Sequence, residues 1–327
     1  MNYRHAYHAG NFADVLKHLV LVLVVEHLKK KPAPFRIIDT HAGLGLYDLT
    51  SEAARKTGEA QAGIARLLSA DIPAAAAAIL APYLDLVREL QTGGFEVPRS
   101  EARGTDAASF GAGPAEAVVD DAASGPAWYP GSPEIARRLM RPGDVLVANE
   151  LHPEDAAHLG AHFHRDRQTK VMTLDGFTAL KALLPPKERR GVVLIDPPFE
   201  EQGEFQRLVI ALEDAARRFA TGTVIVWYPV KDRAAVGRFH AAIRSSRLAK
   251  VLMVSLAIRG PDAAASGAAA AGFRGKGLGE AGLVVVNPPY TLHDDLAAVL
   301  PTLRDVLAEA PGYGFQLEWL VAERAKA

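Results

Sequence analysis

The groups best placed to do chemistry sit in Asp196-Pro197-Pro198-Phe199, at the end of the run Gly191–Glu200, GVVLIDPPFE. Residues 191–195 are small or apolar and rich in β-branching, a composition suited to a short strand buried on both faces. Neither proline has an N–H to give to a ladder, and each fixes φ, so the chain leaves the sheet in a stiff extended corner. Such a corner aims one carboxylate, unpaired carbonyls and an aromatic ring into the space beyond a strand end, where open α/β sheets bind ligands. A base with an exocyclic amine suits these groups. Asp196 accepts one N–H, a prolyl carbonyl such as that of Pro197 accepts the other, and Phe199 stacks on the ring. Gripped in this way, the amine lone pair leaves conjugation and becomes nucleophilic. Taken alone, the tetrapeptide is equally compatible with a plain strand terminator, so the elements around it decide.

An acceptor corner needs a cofactor site beside it. Phe35-Arg36-Ile37-Ile38-Asp39 reads as a first strand, followed by Thr40-His41-Ala42-Gly43-Leu44-Gly45, a glycine-punctuated turn that lets backbone approach a nucleotide-like ligand. The third glycine of a dinucleotide fingerprint is replaced by Asp48, which counts against a nicotinamide oxidoreductase. Further strands are expected near 145–149, 170–174, 191–195, 223–228, 250–257 and 282–287, seven in all, with helices at Pro153–Phe163, Phe177–Leu184, Phe205–Phe219 and Ala234–Arg244 between them. This alternation implies a doubly wound, seven-stranded and mostly parallel α/β sheet. Glu150 follows the second strand, where an acid accepts both hydroxyls of a ribose. Asp175-Gly176 follows the third, where an acid takes an adenine amino group or caps the next helix. Trp128-Tyr129-Pro130-Gly131-Ser132-Pro133 reads as a turn whose Ser132 caps a helix.

The 106 positions from Asp39 to Val145 exceed an ordinary crossover. Two alanine-rich helical segments, about 51–68 and 74–91, point to a helical subdomain inserted at 51–127 into a main domain of 1–50 and 128–327. Its Ala/Gly/Asp/Ser-rich part, 102–126, has little to bury and reads as a surface excursion. At the N-terminus, residues 1–36 hold six Lys/Arg against two acids, and Asn11 is placed to cap a helix from Phe12 to Lys30. Tyr3, Arg4, Tyr7 and Lys17 gathered round a pocket would suit a polyanion with bases to stack, although charge clusters are also ordinary solvated faces. His5-x-x-His8 has a metal-like spacing but lacks a third ligand in register, so no metal is expected.

Composition bounds these readings. The 327 residues are 49% hydrophobic, with no cysteine and a net charge of −1. Thiol catalysis, zinc–thiolate and iron–sulfur sites are excluded, and any nucleic-acid contact must rest on local patches. The aliphatic run Leu19–Val25 is too short to span a bilayer. With no signal-peptide layout, a cytoplasmic protein without a membrane partner is expected.

In the order glycine turn, ribose acid, adenine acid, DPPF, the chain resembles class I S-adenosylmethionine-dependent methyltransferases, and DPPF is similar to the [DNS]PP[YFW] signature of amine methylation. The strings YRHAYHAGNFADVLKH at 3–18, DTHAGLGLYDL at 39–49, YPGSP at 129–133, NELHPED at 149–155, DGFTALKALLPP at 175–186, RRGVVLIDPPFE at 189–200 and FATGTVIVWYPV at 219–230 narrow this further. Together they resemble the 23S ribosomal RNA adenine-N6 methyltransferases of the RlmJ family along nearly the whole chain. The resemblance implies S-adenosylmethionine as cofactor, held by His18, His41, Gly43, Ser132, Glu150, Asp175, Gly176 and Asp196. Asp196 would be the catalytic acceptor, with Pro197 and Phe199 gripping the base. Tyr3 would meet the RNA, joined by Arg4 and Lys17, and the partner would be 23S rRNA that is protein-free or early in assembly. Phe199 departs from the tyrosine common in the family. Asn287-Pro288-Pro289-Tyr290 fits the signature's letters better than DPPF but follows the seventh strand, away from the expected methyl position. A DNA adenine-N6 methyltransferase and a turnover-deficient RNA-binding scaffold remain alternatives.

Overall fold

The apolar run Gly191–Ile195 is buried at all five positions and lies near the middle of the main sheet. The computed structural model describes residues 7–92, 127–259, 277–309 and 313–322. In chain order these form α1 (Phe12–Lys29), β1 (Arg36–Asp39), β2 (Leu46–Asp48), α2 (Glu52–Thr57), a π-helical turn (Gln61–Ala65), α3 (Arg66–Ser69), α4 (Ala74–Thr92) and β3 (Trp128–Pro130). There follow α5 (Ser132–Leu139), β4 (Val145–Asn149), α6 (Pro153–His162), β5 (Thr169–Met172), α7 (Gly176–Leu183), β6 (Gly191–Ile195) and α8 (Glu204–Arg218). Then come β7 (Thr223–Pro229), α9 (Arg233–Ser245), β8 (Val251–Ala257), β9 (Glu280–Val286), α10 (Leu292–Leu307) and β10 (Phe315–Val321).

Among the described residues the main sheet has eight strands in the order β10-β8-β9-β7-β6-β1-β4-β5. From β7 to β5 all neighbours are parallel, while β9, β8 and β10 pair antiparallel. The expected α/β class holds, and the expected count of seven is corrected to eight: β10 was not anticipated. Its residues are mostly partly buried or exposed, with Leu320 alone buried, the pattern of an edge strand that carries little continuous apolar signal. Alternate residues of β6 point to opposite faces, Val192 and Leu194 into one core, Val193 and Ile195 into another. Helices α1, α4, α5 and α10 cover the first face, and α7, α8 and α9 the second.

Helix α1 is apolar nearly all round and sits inside the first core, its N-cap Asn11 accepting from the Ala13 and Asp14 amides as expected. Full burial of Leu16, Leu19 and Val20 contributes about 1.5–3 kcal/mol each. That packing fixes the first turns of α1, with their charged residues, against the end of the sheet. Leu80, Tyr83 and Val87 of α4 share this core, so the inserted helices pack on α1 and α10 as one body with the sheet. The expected excursion at 102–126 lies outside the described residues, as do Tyr3, Arg4 and His5. No helix among the described residues is long and apolar enough to cross a membrane.

Candidate active site

The C-terminal ends of β6, β1, β4 and β5 lie side by side, with neighbouring strands about 4.8 Å apart, so the residues that follow them form a row along one edge. Asp39 pairs in register with Leu194, which puts Asp196 beside the Thr40-His41 turn. The backbone and hydroxyl of Thr40 both donate to the Leu194 carbonyl, at 3.0 Å each. Buried Asn149 closes the other side: its Nδ2 donates to the carbonyls of Thr40 (3.0 Å) and Leu174 (2.8 Å), and its Oδ1 accepts from the Leu174 amide. One side chain thus locks together three strand ends. The row reads Asp196, His41, Glu150, Asp175, as the order of motifs predicts for an elongated ligand.

Glu150 accepts the Gly43 amide on one oxygen and the His152 amide on the other, both at 2.8 Å. Each oxygen keeps a lone-pair direction for a further donor, the requirement for holding a diol. Burial raises its pKa above the ordinary glutamate range. Gly43 has φ +61°, and a Cβ there would stand 2.3 Å from the Tyr47 hydroxyl, so the turn accepts only glycine. Gly176 is required for a different reason, since a Cβ would fall 2.6 Å from the His41 ring. Burial lowers the His41 pKa to about 4, so the ring works neutral, bonded through Nδ1 to the Thr40 hydroxyl at 2.8 Å. Asp175 caps α7, accepting from the Thr178 amide at 2.9 Å, and its other oxygen lies 3.6 Å from Arg207. Arg207 in turn lies over the Phe177 ring at 4.4 Å.

At the β6 end, the Asp196 carboxylate receives the Lys17 ammonium at 2.6 Å, and Lys17 also meets Asp14 at 2.9 Å. Lys17 was expected to face RNA; the structure places it elsewhere, 4% exposed and turned inward. Burial works to discharge it, and the carboxylates of Asp14 and Asp196 overcome burial and hold its pKa well above the usual lysine range. An i,i+3 acid–base pair inside an otherwise aliphatic helix was the available sequence signal, because charges are left in a core only when partnered. Phe199 has φ 52° and is half-buried, its ring backed by Phe205 (5.1 Å) and Trp227 (6.0 Å). Pro197 is buried.

Ser132 also differs from expectation. It is the first residue of α5 and makes no cap; Gly131 is the N-cap residue. Its hydroxyl instead donates to Asp39 at 2.6 Å. His18 bonds through Nδ1 to the Tyr129 hydroxyl at 2.7 Å, and that hydroxyl meets Tyr83 at 2.8 Å. Asn287 is separated from the row. Because β9 runs antiparallel to β7, Val286 pairs with Val224 at the start of β7, so Asn287 sits at the opposite end of the sheet. His8 bonds Glu59 at 3.0 Å, and among the described residues no group of three metal-ligating side chains occurs.

Asp39, 1% exposed, has its pKa raised to about 7 by burial, against the pull of the Ser132 hydroxyl. A raised carboxyl pKa means the fold favours the neutral form, so this contribution is full below the ordinary carboxylate range and is lost as pH rises to about 7. Between pH 5 and 7 the native chain should lose about 1.4 kcal/mol per pH unit relative to Asp39→Asn. Urea unfolding of both proteins at pH 5 and pH 8 measures this; parallel pH profiles would remove Asp39 as the titrating group.

Comparison with known proteins agrees with this geometry. The chain matches the family model described as "Ribosomal RNA large subunit methyltransferase D, RlmJ" over residues 32–97 and 120–321. It is 37% identical to ribosomal RNA large subunit methyltransferase J of Haemophilus influenzae and 38% identical to that of Escherichia coli, each over 99% of this chain and 100% of the relative. Among solved structures it resembles protein LPL1258 from Legionella pneumophila, with a TM-score of 0.75, 28% identity, and coverage of 95% of this chain and 98% of that one. The family model covers most of the chain and the two relatives align with it nearly end to end, as the edge of acids and glycine on a doubly wound sheet led one to expect: this protein belongs to the RlmJ family of ribosomal RNA large subunit methyltransferases.

Proposed function

We propose that the chain transfers a methyl group from S-adenosylmethionine to N6 of an unpaired adenine in 23S ribosomal RNA. The observation that carries this is Asp196: a carboxylate on a proline-stiffened corner, held by a buried lysine, one strand away from the glycine turn. The residues suit the cofactor. Glu150 has acceptor capacity for a ribose diol, Asp175 and Gly176 would border the adenine end, and His41, Ser132 and His18 would line the amino-acid end. When bound, S-adenosylmethionine supplies a methyl group on a sulfonium, already a strong electrophile.

The protein's part is alignment and charge placement. Asp196 would accept one N–H of the target amine, the Pro197 carbonyl the other, and Phe199 would stack on the base. Lys17 stays protonated, so the proton released on N-methylation goes to the Asp196 carboxylate and from there to solvent. Extracting a paired base costs a few kcal/mol, which favours loops of protein-free or early-assembly rRNA as substrate. Tyr3 and Arg4 belong to the N-terminal segment proposed to meet that RNA.

Mass mapping of N6-methyladenine in rRNA from cells lacking the protein tests the reading, and loss of one modified adenine in 23S rRNA is the expected result. In parallel assays, naked 23S rRNA should be methylated and single-stranded DNA should not. Methylation of DNA alone would make this a DNA enzyme, and tight cofactor binding without turnover on either polymer would leave a scaffold.

A further inference from the structure

The Asn287-Pro288-Pro289-Tyr290 corner has the letters of an amine-methylating loop and stands at the far end of the sheet from the cofactor edge. It is held firmly there. The Asn287 amide donates to the Lys250 carbonyl at 2.8 Å, its Nδ2 to the Gly222 carbonyl at 3.2 Å, and its carbonyl accepts from Thr223. What the corner presents is Tyr290, 75% exposed, with its ring edge-on to His27 at 5.4 Å.

His27 lies in the last turn of α1, in a positive environment. Burial lowers its pKa, and Lys30, Arg190 and Lys31 lower it further, with Asp295 opposing. The basic turn after α1 is clamped by two guanidiniums. Arg141 donates to the carbonyls of Lys29 (3.1 Å) and Lys31 (2.8 Å), and Arg190 to those of Ala33 (2.6 Å) and Leu28. Both cations also lie over Phe35, at 5.3 and 5.8 Å. Lys30, Lys31 and Arg189 are left exposed. Of the nearby acids, Glu26 pairs with Lys29, Glu188 with Arg36 and Asp144 with Arg141, while Asp294 and Asp295 follow Tyr290 in the first turn of α10, Asp294 bonded to His293. An exposed tyrosine on a pinned corner, close to surface cations carried on a clamped backbone turn, is a stacking platform set among phosphate contacts, the combination that binds single-stranded nucleic acid.

We propose that Tyr290 with Lys30, Lys31 and Arg189 forms a second RNA-binding site, which anchors an unpaired stretch of the substrate rRNA away from the methylated nucleotide. A base stacks on Tyr290 and flanking phosphates meet the lysines. The proposal rests on rRNA being the substrate. Lys30 stands thirteen residues along α1 from Lys17, about 20 Å, so only an RNA long enough to pass that distance over the surface engages both sites.

The test compares a long 23S rRNA fragment with a short oligonucleotide carrying only the target loop, using the intact chain and the variants Tyr290→Ala, Tyr290→Phe and Lys30→Ala/Lys31→Ala. Tyr290→Ala and the double alanine variant should each raise KM for the long fragment about tenfold, with kcat and the short substrate unchanged. Tyr290→Phe should behave as wild type. The double alanine variant should also flatten the dependence of log Kd on log salt by roughly 1.5. An unchanged KM for the long fragment overturns the proposal, as does equal impairment on the short substrate. Fluorescence anisotropy of the labelled long fragment separates the two readings: Tyr290-dependent binding by a chain that methylates no RNA supports the anchor and defeats the proposed activity alone.

Discussion

Replacing Asp196 by asparagine is expected to lower kcat for methyl transfer by roughly 10²- to 10⁴-fold, the range for removing a positioned proton acceptor. The amide keeps the shape of the corner and can still accept one N–H, but in the proposed reaction it cannot take the proton that a methylated amine releases. Folding should survive the change, because Lys17 retains Asp14 at 2.9 Å. The stabilising thermal shift with S-adenosylhomocysteine should survive as well, since the Gly43–Glu150 turn is untouched. The control is Asn287→Ala, at the other end of the sheet, where turnover on a short substrate should stay close to wild type. Single-turnover methylation of the three proteins decides the matter. Loss in Asn287→Ala with Asp196→Asn active would reverse the assignment of the acceptor.

Much of this site was legible in the sequence because its parts are local. A buried strand announces itself by an apolar run, and in a doubly wound sheet the residue after the run is near the ligand, so the Gly43 turn, Glu150, Asp175 and Asp196 fell into order from strand positions, while His41 came from the family resemblance. Asp175 was readable both as ligand and as cap, and its side chain does cap α7. The parts not legible depend on non-local choices. A serine before a helix usually bonds the helix backbone, yet Ser132 donates its hydrogen bond to Asp39, 93 residues away, and only the fold brings the two together. Lys17 looked like part of a basic surface because counting charges says nothing about which side of a helix is inside. The strand β10, with Gln316, Glu318 and Trp319 along an exposed edge, lacks the apolar continuity that marked the central strands. Helix α10 was masked in a similar way by Pro301 within it.

Lys17→Met is expected to destabilise the chain by about 3–5 kcal/mol, the cost of leaving buried charge without its partner. That is a large part of the 5–15 kcal/mol that typically separates folded from unfolded domains. The loss follows from the geometry: Asp14 and Asp196 are 2% and 17% exposed, and the one ammonium between them is the charge that both carboxylates pair with. Asp14 also accepts the Gly10 amide at 2.9 Å, so its best neutral replacement is asparagine, which keeps that acceptor. The double variant Asp14→Asn/Lys17→Met removes one charge of each sign and should regain most of the stability in urea unfolding. Turnover should not return with it, because Asp196, the proposed acceptor, still lacks the cation that holds its carboxylate in place. A double variant that is both stable and fully active would reduce Lys17 to a structural ion pair. A stable but slow one, with kcat lowered and KM for RNA little changed, separates the two duties of this lysine, holding α1 against the sheet and holding the acceptor in place.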